Sequence, residues 1–310
     1  MNSNEEKYDY IIFHKNCFDG FAGFFLLTLT NKIDKNAIIL ADVPSSIYLP
    51  KNLNNKNVII IDVAYKKNIL DKIINVANKV TFIDHHISIR EDVLSLNNKK
   101  LVIVYNEKKS GSSLVWEYFN KNKKMPQFIK YIEDNDIGAW KLKYTHEFIT
   151  GLSVHYDTLL SQDNINKWNN LLKKDEIIRL IKKGKTYIEY KNYLTDQNLN
   201  KYSLKMFPSK KIYEKHKKLF KTYGQYKVLI YNGVGCPSVN NIALKILDQI
   251  KCDFVIFWTL NMDKKEYIIQ FRSSKVDVGE IAKIFGGGGH TLASACSISA
   301  KTYNIFDLFY

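Results

Sequence analysis

The strongest constraint on the fold is an alternation in the first third of the chain. Short apolar, β-branched runs recur at residues 10–14, 38–40, 58–62, 80–84 and 101–105. Between most of them lie stretches with apolar residues at helical spacing, among them 21–30 and 68–78. Strand and helix in alternation predict a parallel sheet with helices packed on its faces. Runs with almost no polar interruption are what burial on both faces requires. At 310 residues the chain also has room for a second domain with its own core.

The pattern changes between residues 175 and 226, where Lys, Tyr and Asn dominate. The first part of this stretch reads as an amphipathic helix and the rest as a polar connector. Strand signals return at 227–231, 253–260 and 266–272, with helices expected at 242–250 and 278–285. The expectation is an α/β protein with a parallel-sheet N-terminal domain over 1–190, a helical and polar linker over 191–226, and a smaller α/β domain over 227–310.

Three of the apolar runs end in residues that bind metals. Residues 11–13 lead to His14 and then to Asp19 and Gly20; 58–61 lead to Asp62; 80–83 lead to Asp84, His85 and His86. A fourth group, Glu133, Asp134, Asn135 and Asp136, stands in the helix-rich part that follows. In open α/β sheets ligands gather outside the carboxyl ends of the strands, so parallel neighbours would bring these side chains to one crevice. A strand-end Asp is commonly a turn or cap, and paired histidines are commonly surface residues. Three successive strands with such ends point instead to a shared metal site. Two divalent ions about 3.5–4 Å apart supply a nucleophile and neutralise charge on a phosphoryl group. Oxygen and nitrogen donors suit manganese, with magnesium, cobalt or iron as alternatives.

Near the C-terminus, Gly286, Gly287, Gly288 and Gly289 run into His290 and the small residues Thr291, Leu292, Ala293, Ser294 and Ala295. Consecutive glycines let backbone N–H groups approach an anion, and a helix starting near His290 would add its positive end. Arg272 is a candidate phosphate fork. A hinge or a helix C-cap explains the same glycines equally well.

Composition narrows the partners. Forty-six Lys and Arg against 31 Asp and Glu give a formal charge of +15, which favours anionic ligands. The lysines are scattered, however, and a general bias toward Lys, Asn and Ile would give the same count. Cys17, Cys236, Cys252 and Cys296 form no paired motif, so neither a zinc knuckle nor a disulfide framework is expected. No apolar run approaches the ~20 residues of a membrane span, and the polar N-terminus lacks a secretory pattern. A cytoplasmic protein without membrane attachment is the expectation.

Asp84-His85-His86, taken with His14-x4-Asp19-Gly20, Asp62 and a distal Gly-Gly-Gly-His, resembles the DHH phosphoesterases that carry a DHH-associated C-terminal domain. The motifs stand in the same order and span nearly the whole chain. His14-Lys15-Asn16-Cys17-Phe18-Asp19-Gly20-Phe21 is most similar to an oligoribonuclease- and nucleotide phosphodiesterase-like branch. The helix start at Ser110-Gly111-Ser112-Ser113 also resembles that branch. So does Phe271-Arg272-Ser273-Ser274, with Val276-Asp277-Val278 leading to the glycine loop.

The resemblance implies that His14, Asp19, Asp62, His85 and Asp136 bind two ions, Asp62 bridging them, with Asp134 a weaker substitute for Asp136. It further implies that Asp84 orients His85 and that His86 faces the scissile phosphate. Ser110, Arg272, Gly287, Gly288, Gly289 and His290 would contact substrate, in a cleft between the domains. The implied activity is hydrolysis of phosphodiesters in short oligonucleotides or small nucleotide phosphates, probed best with manganese. A polyphosphatase or pyrophosphatase, a nuclease on long strands, and a non-catalytic nucleotide-binding regulator are the alternatives. No stable protein partner is implied, and a homodimer stays open. Two departures stand out. Cys17 occupies a position where many members have an aspartate, and Ala293-Ser294-Ala295-Cys296 replaces the usual Ala-Ala-Gly of the last helix.

Overall fold

A computed structural model describes residues 7–43, 48–121, 123–234, 236 and 238–310. The chain divides into two compact units, Met1–Ile188 and Glu189–Tyr310. Among the described residues no helix is long and apolar enough to cross a membrane.

The first unit is built from β1 (Tyr8–His14), α1 (Phe18–Thr28), β2 (Ile33–Asp42), β3 (Asn57–Ile61), α2 (Lys67–Val76), β4 (Lys79–Asp84), α3 (Arg90–Leu94) and β5 (Leu101–Tyr105). The helices α4 (Gly111–Phe119), α5 (Gln127–Asp136), α6 (Thr145–His155), α7 (Gln162–Trp168) and α8 (Lys174–Asn198) follow, and the boundary between units falls within α8. The strands pair in the order β2-β1-β3-β4-β5, all parallel. From β1 the chain passes to β2 on one side and then to β3 on the other. This switch point lies between the ends that carry His14 and Asp62.

Strand alternation sorts the apolar side chains onto two faces. Ile11, Phe13, Ile59, Ile61 and Ile83 meet α1, α4 and α5, while Ile12, Ile60, Val80 and Phe82 meet Leu70, Ile73 and Ile74 of α2. The stretch 21–30, expected as amphipathic, belongs instead to a helix buried from Asp19 to Leu27. The reason is that α1 packs on the sheet while α4 and α5 cover its outer side. Trp168 completes that cover, its ring 4.8 Å from Phe21 and 5.8 Å from Phe25.

The second unit contains β6 (Tyr202–Phe207), α9 (Lys210–Lys215), β7 (Tyr226–Asn232), α10 (Val239–Gln249), β8 (Phe254–Asn261), β9 (Glu266–Ser273), α11 (Val278–Lys283), β10 (Gly288–His290) and β11 (Ala293–Ser299). Its mixed sheet runs β10-β11-β9-β8-β7-β6, in which β7 and β8 pair parallel and the other neighbours antiparallel. Residues 191–226, read as a linker, contain the end of α8, β6 and α9, and β6 pairs with β7 from Tyr202 to Phe207. Lys205 on this edge strand suits a sheet margin, and the density of lysines in the surrounding stretch gives it the look of a solvent-exposed connector.

The helix expected from His290 onward is a strand. Ser294, Cys296 and Ile298 point inward while Ala295 and Ser297 point out, a period of two, and β11 pairs with β9 from Ala293 to Ser299. Small residues there carry little helical signal against seven ladder pairs.

Candidate metal centre

The carboxyl edge of the first sheet collects its polar residues because each parallel strand ends at the same level. His14 ends β1 and Asp84 ends β4, while Asp62 follows the last residue of β3. Asp62 has φ of 62°, in the left-handed region, and is 1% exposed. That conformation is uncommon for a residue other than glycine and clusters at functional sites. It turns the carboxylate inward. One oxygen, Oδ2, lies 3.3 Å from His14 Nδ1, and the other, Oδ1, lies 3.1 Å from His85 Nε2.

Asp19 reaches the same place from the first turn of α1. Its Oδ1 accepts hydrogen bonds from Ser112 N at 3.1 Å and from Ser112 Oγ, while Oδ2 is buried with no hydrogen-bond partner. Oδ2 lies 4.0 Å from His85 Nε2, and Asp136 Oδ2 lies 3.2 Å from the same nitrogen. Asp136 ends α5, so a helix terminus brings the fourth group to the strand ends. Asp134 faces elsewhere. Its oxygens accept from Lys141 N, Leu142 N and Thr145 Oγ1, which ties down the loop before α6.

Asp84 differs from its expected role. Its Oδ1 accepts from His86 Nδ1 at 2.8 Å and from the backbone N–H groups of His85 and His86. It therefore orients the ring of His86 and only the backbone of His85. The cause is the turn after β4, which folds the His86 ring back over the strand end. Tyr105 Oη adds a hydrogen bond to the carbonyl of His86.

Ser110 also stands apart from its expected substrate contact. It is fully buried and caps α4, accepting from Ser113 N in a reciprocal box, while Glu133 accepts from Ser110 N and Ser113 Oγ. Its neighbours matter more. A Cβ on Gly111 would stand 2.8 Å from Asp62 Cβ and 3.0 Å from Asp19 Oδ2, so only glycine lets α4 close over both carboxylates. Gly111 and Ser112 were overlooked as parts of the site; the only trace was the run Ser110-Gly111-Ser112-Ser113.

Among the described residues, three groups offer ligand atoms lying within 4.8 Å of one another: His14 with Cys17 and Asp62, Asp19 with His85 and Asp136, and Asp62 with His85 and His86. His146 and His155 belong to none of them. His155 Nε2 meets Tyr187 Oη, and His146 packs edge-on against Trp140.

The electrostatics reflect crowded carboxylates. Burial raises the pKa of Asp19, and the charges of Asp62 and Asp136 raise it further. Burial raises Asp136 as well. For Asp62 burial works upward too, but hydrogen bonds from His14 and His85 outweigh it and hold the carboxyl below its ordinary range. Burial works to lower His85, yet the Asp62 bond and the charges of Asp19, Asp62 and Asp136 lift it to about 9. Burial pushes the Cys17 thiol up, and Asp62 and Asp19 add to that. A buried carboxylate oxygen without a donor is costly unless a cation meets it, and Asp19 Oδ2 is such an atom. The donor set fits divalent ions.

In the second unit Arg272 lies on β9. Its Nε donates to Asn240 Oδ1 at 2.8 Å and Nη1 donates to the carbonyl of Phe271 at 2.8 Å. With Asn240, Leu244, Leu247 and Leu292 it borders a hollow of about 330 Å³. The glycines divide by role. Gly286, at φ 75°, ends α11 in a Schellman arrangement, Gly287 N bonding to Ala282 O and Gly286 N to Lys283 O. Gly287 and Gly289 allow close approach to β11, where a Cβ would stand 2.2 Å from Ala295 O and 2.7 Å from Ala293 O respectively. A Cβ on Gly288 would meet nothing within 4 Å, and His290 is exposed at the end of β10.

Comparison with known proteins agrees with this organisation. Residues 225–307 match the DHHA1 domain family. An uncharacterized protein of Acanthamoeba polyphaga mimivirus is 27% identical over 96% of this chain and 69% of its own length. The pGpG-specific phosphodiesterase PggH of Vibrio cholerae shares the fold at a TM-score of 0.53 and 16% identity, covering 95% of this chain and 94% of that one. The second unit thus carries the DHHA1 match, and the first unit sets the Asp-His-His strand end and its partner residues on one sheet edge, an arrangement that resembles the DHH superfamily.

Proposed function

We propose that this chain is a divalent-metal-dependent phosphoesterase that hydrolyses phosphodiester bonds of short oligonucleotides or small nucleotide phosphates. The observation that carries the reading is the division of Asp62. Its two oxygens face His14 and His85 separately, beside the unpartnered buried oxygen of Asp19. His14, Asp19, Asp62, His85 and Asp136 would hold two ions, Asp62 being shared. When bound, such ions activate water and offset charge on the phosphoryl oxygens.

The remaining residues orient and move protons. Asp84 accepts from His86 Nδ1, which fixes the tautomer and leaves Nε2 to address a phosphoryl or leaving-group oxygen. Burial works to lower the His86 pKa, but the Asp84 bond and charge raise it, so the ring is suited to donate a proton. In the second unit Arg272, the edge of the glycine run at Gly288, and His290 are proposed as anion contacts. The fold shared with a pGpG-specific phosphodiesterase makes a linear dinucleotide the first substrate to try.

The test incubates the protein with manganese, magnesium or cobalt and a panel. It includes a linear dinucleotide, a short oligomer, a long single strand, a nucleotide bisphosphate, cyclic dinucleotides and polyphosphate. Metal-dependent release of mononucleotides, lost in Asp62→Ala and His85→Ala, is the expected result. Full activity in Asp62→Ala would overturn the site assignment. Turnover of polyphosphate alone would keep the site and replace the substrate class.

A further inference from the structure

We infer that Cys17 is a metal ligand, making one half of the centre a nitrogen, sulfur and oxygen site for a borderline ion such as zinc or cobalt(II). The other half stays an oxygen-rich site of the manganese type. The inference rests on the two-ion reading proposed above and concerns what distinguishes the two positions.

The local backbone brings the thiol to the centre. Asn16 has φ of 56°, turning the chain between β1 and α1, and Cys17 then takes the N-cap position of α1. From the N-cap the thiol faces the backbone N–H of Gly20, and its sulfur also lies within 4.8 Å of ligand atoms from His14 and Asp62. Two residues on, Asp19 belongs to the other group, with His85 and Asp136. Its Oδ2, buried and without a hydrogen-bond partner, is an independent sign that this pocket of donors is built around cations. The sequence Cys17-Phe18-Asp19 thus divides between the two halves, and Asp62 is common ground.

The donor sets follow from that division. His14, Cys17 and Asp62 offer nitrogen, sulfur and oxygen; Asp19, Asp136 and His85 offer two carboxylates and one nitrogen. Thiolate favours zinc and cobalt(II) over manganese, while carboxylate-rich sets suit manganese and magnesium. The two halves therefore differ in how strongly they discriminate zinc or cobalt(II) from manganese.

The experiment titrates the metal-free full chain with cobalt(II), following bound cobalt by dialysis and near-ultraviolet absorbance together. A sulfur-to-cobalt charge-transfer band is expected in the wild type and in His85→Ala, and is lost in Cys17→Ser and Cys17→Asp. Circular dichroism checks that each variant is folded. In competition between zinc and manganese, the ratio of zinc to manganese retained by the wild type should fall in Cys17→Asp, because the thiolate adds to zinc preference in one half only. Cobalt bound by the wild type without the band, or a band and metal preference unchanged in Cys17→Asp, overturns the thiolate ligand and leaves the two-ion reading intact. No bound cobalt at all removes the two-ion reading, and this inference with it.

Discussion

Gly111 and Asp62 are packed so closely that a Cβ on the glycine would stand 2.8 Å from the Asp62 Cβ. The same atom would stand 3.0 Å from Asp19 Oδ2, so the start of α4 acts as a roof over both carboxylates. The Gly111→Ala chain should fold, because a small shift of α4 relieves the contact, but the carboxylates must move. Loss of support around metal ligands commonly costs about 10–100-fold in metal affinity or activity. Calorimetric titration with manganese should show a drop in that range with little change in circular dichroism. Unaltered affinity would mean the roof has no part in shaping the centre.

Ser112 acts on the same carboxylate from the side. Its hydroxyl and backbone N–H both donate to Asp19 Oδ1, which leaves Oδ2 turned toward His85. Ser112→Ala keeps the backbone bond and removes the hydroxyl, so Asp19 gains freedom to rotate. The expected result is metal affinity weakened by about tenfold, at the lower end for outer contacts of this kind. Ser113→Ala serves as the contrast, since that hydroxyl meets Glu133 rather than Asp19. Equal losses in the two variants would trace the effect to the helix start rather than to the Asp19 contact.

The clustered acids give the metal-free chain a definite pH response. His85 sits at about 9 in the folded state against an ordinary 6.5, so its contribution to stability is full below 6.5 and lost as pH rises through about 9. Asp19 and Asp136 are also raised, and theirs too fades with rising pH. Asp62 is lowered, so its contribution is lost only as pH falls below the ordinary carboxylate range. Between mildly acidic and mildly alkaline pH the metal-free protein should therefore lose stability. A divalent ion binds the deprotonated ligands, so its stabilisation should grow over the same interval. Melting curves with chelator and with manganese should diverge steadily from about pH 6 to about pH 9, a window set by this histidine. A constant gap would count against a titrating ligand set.

How much of this was legible in the sequence depends on the kind of signal. Burial on both faces leaves an almost unbroken apolar run, so the strands ending at His14, Asp62 and Asp84 were readable, and parallel pairing then sets their ends side by side. Contacts between distant segments leave no such pattern. Nothing in the linear order of Asp84, His85 and His86 says which ring the carboxylate will meet. The roles of Gly111 and Ser112 likewise exist only because α4 returns over α1. The strand Ala293–Ser299 was missed because alanine, serine and cysteine carry weak hydropathy contrast, and its alternation appears only in burial. Ser110 caps α4, and capping a helix and touching a ligand call for the same residue type, so sequence alone does not separate the two roles.

The glycine run of the second unit separates structural from functional demand within adjacent positions. A Cβ on Gly287 would stand 2.2 Å from the Ala295 carbonyl oxygen and 2.5 Å from Cys296 Cβ. That backbone is held in the β9 and β11 ladder and cannot withdraw, so Gly287→Ala should destabilise by about 1–3 kcal/mol, as overpacking does. Gly288 has a negative or extended φ and open space within 4 Å of the position a Cβ would take. Gly288→Ala should therefore stay within about 0.5 kcal/mol of the wild type in urea denaturation, as an unstrained surface change does. If backbone at Gly288 approaches a phosphate, the same variant should raise KM severalfold while kcat holds. A normal KM in Gly288→Ala beside a destabilised Gly287→Ala would assign the run to folding alone, leaving Arg272 and His290 as the anion contacts to test in that unit.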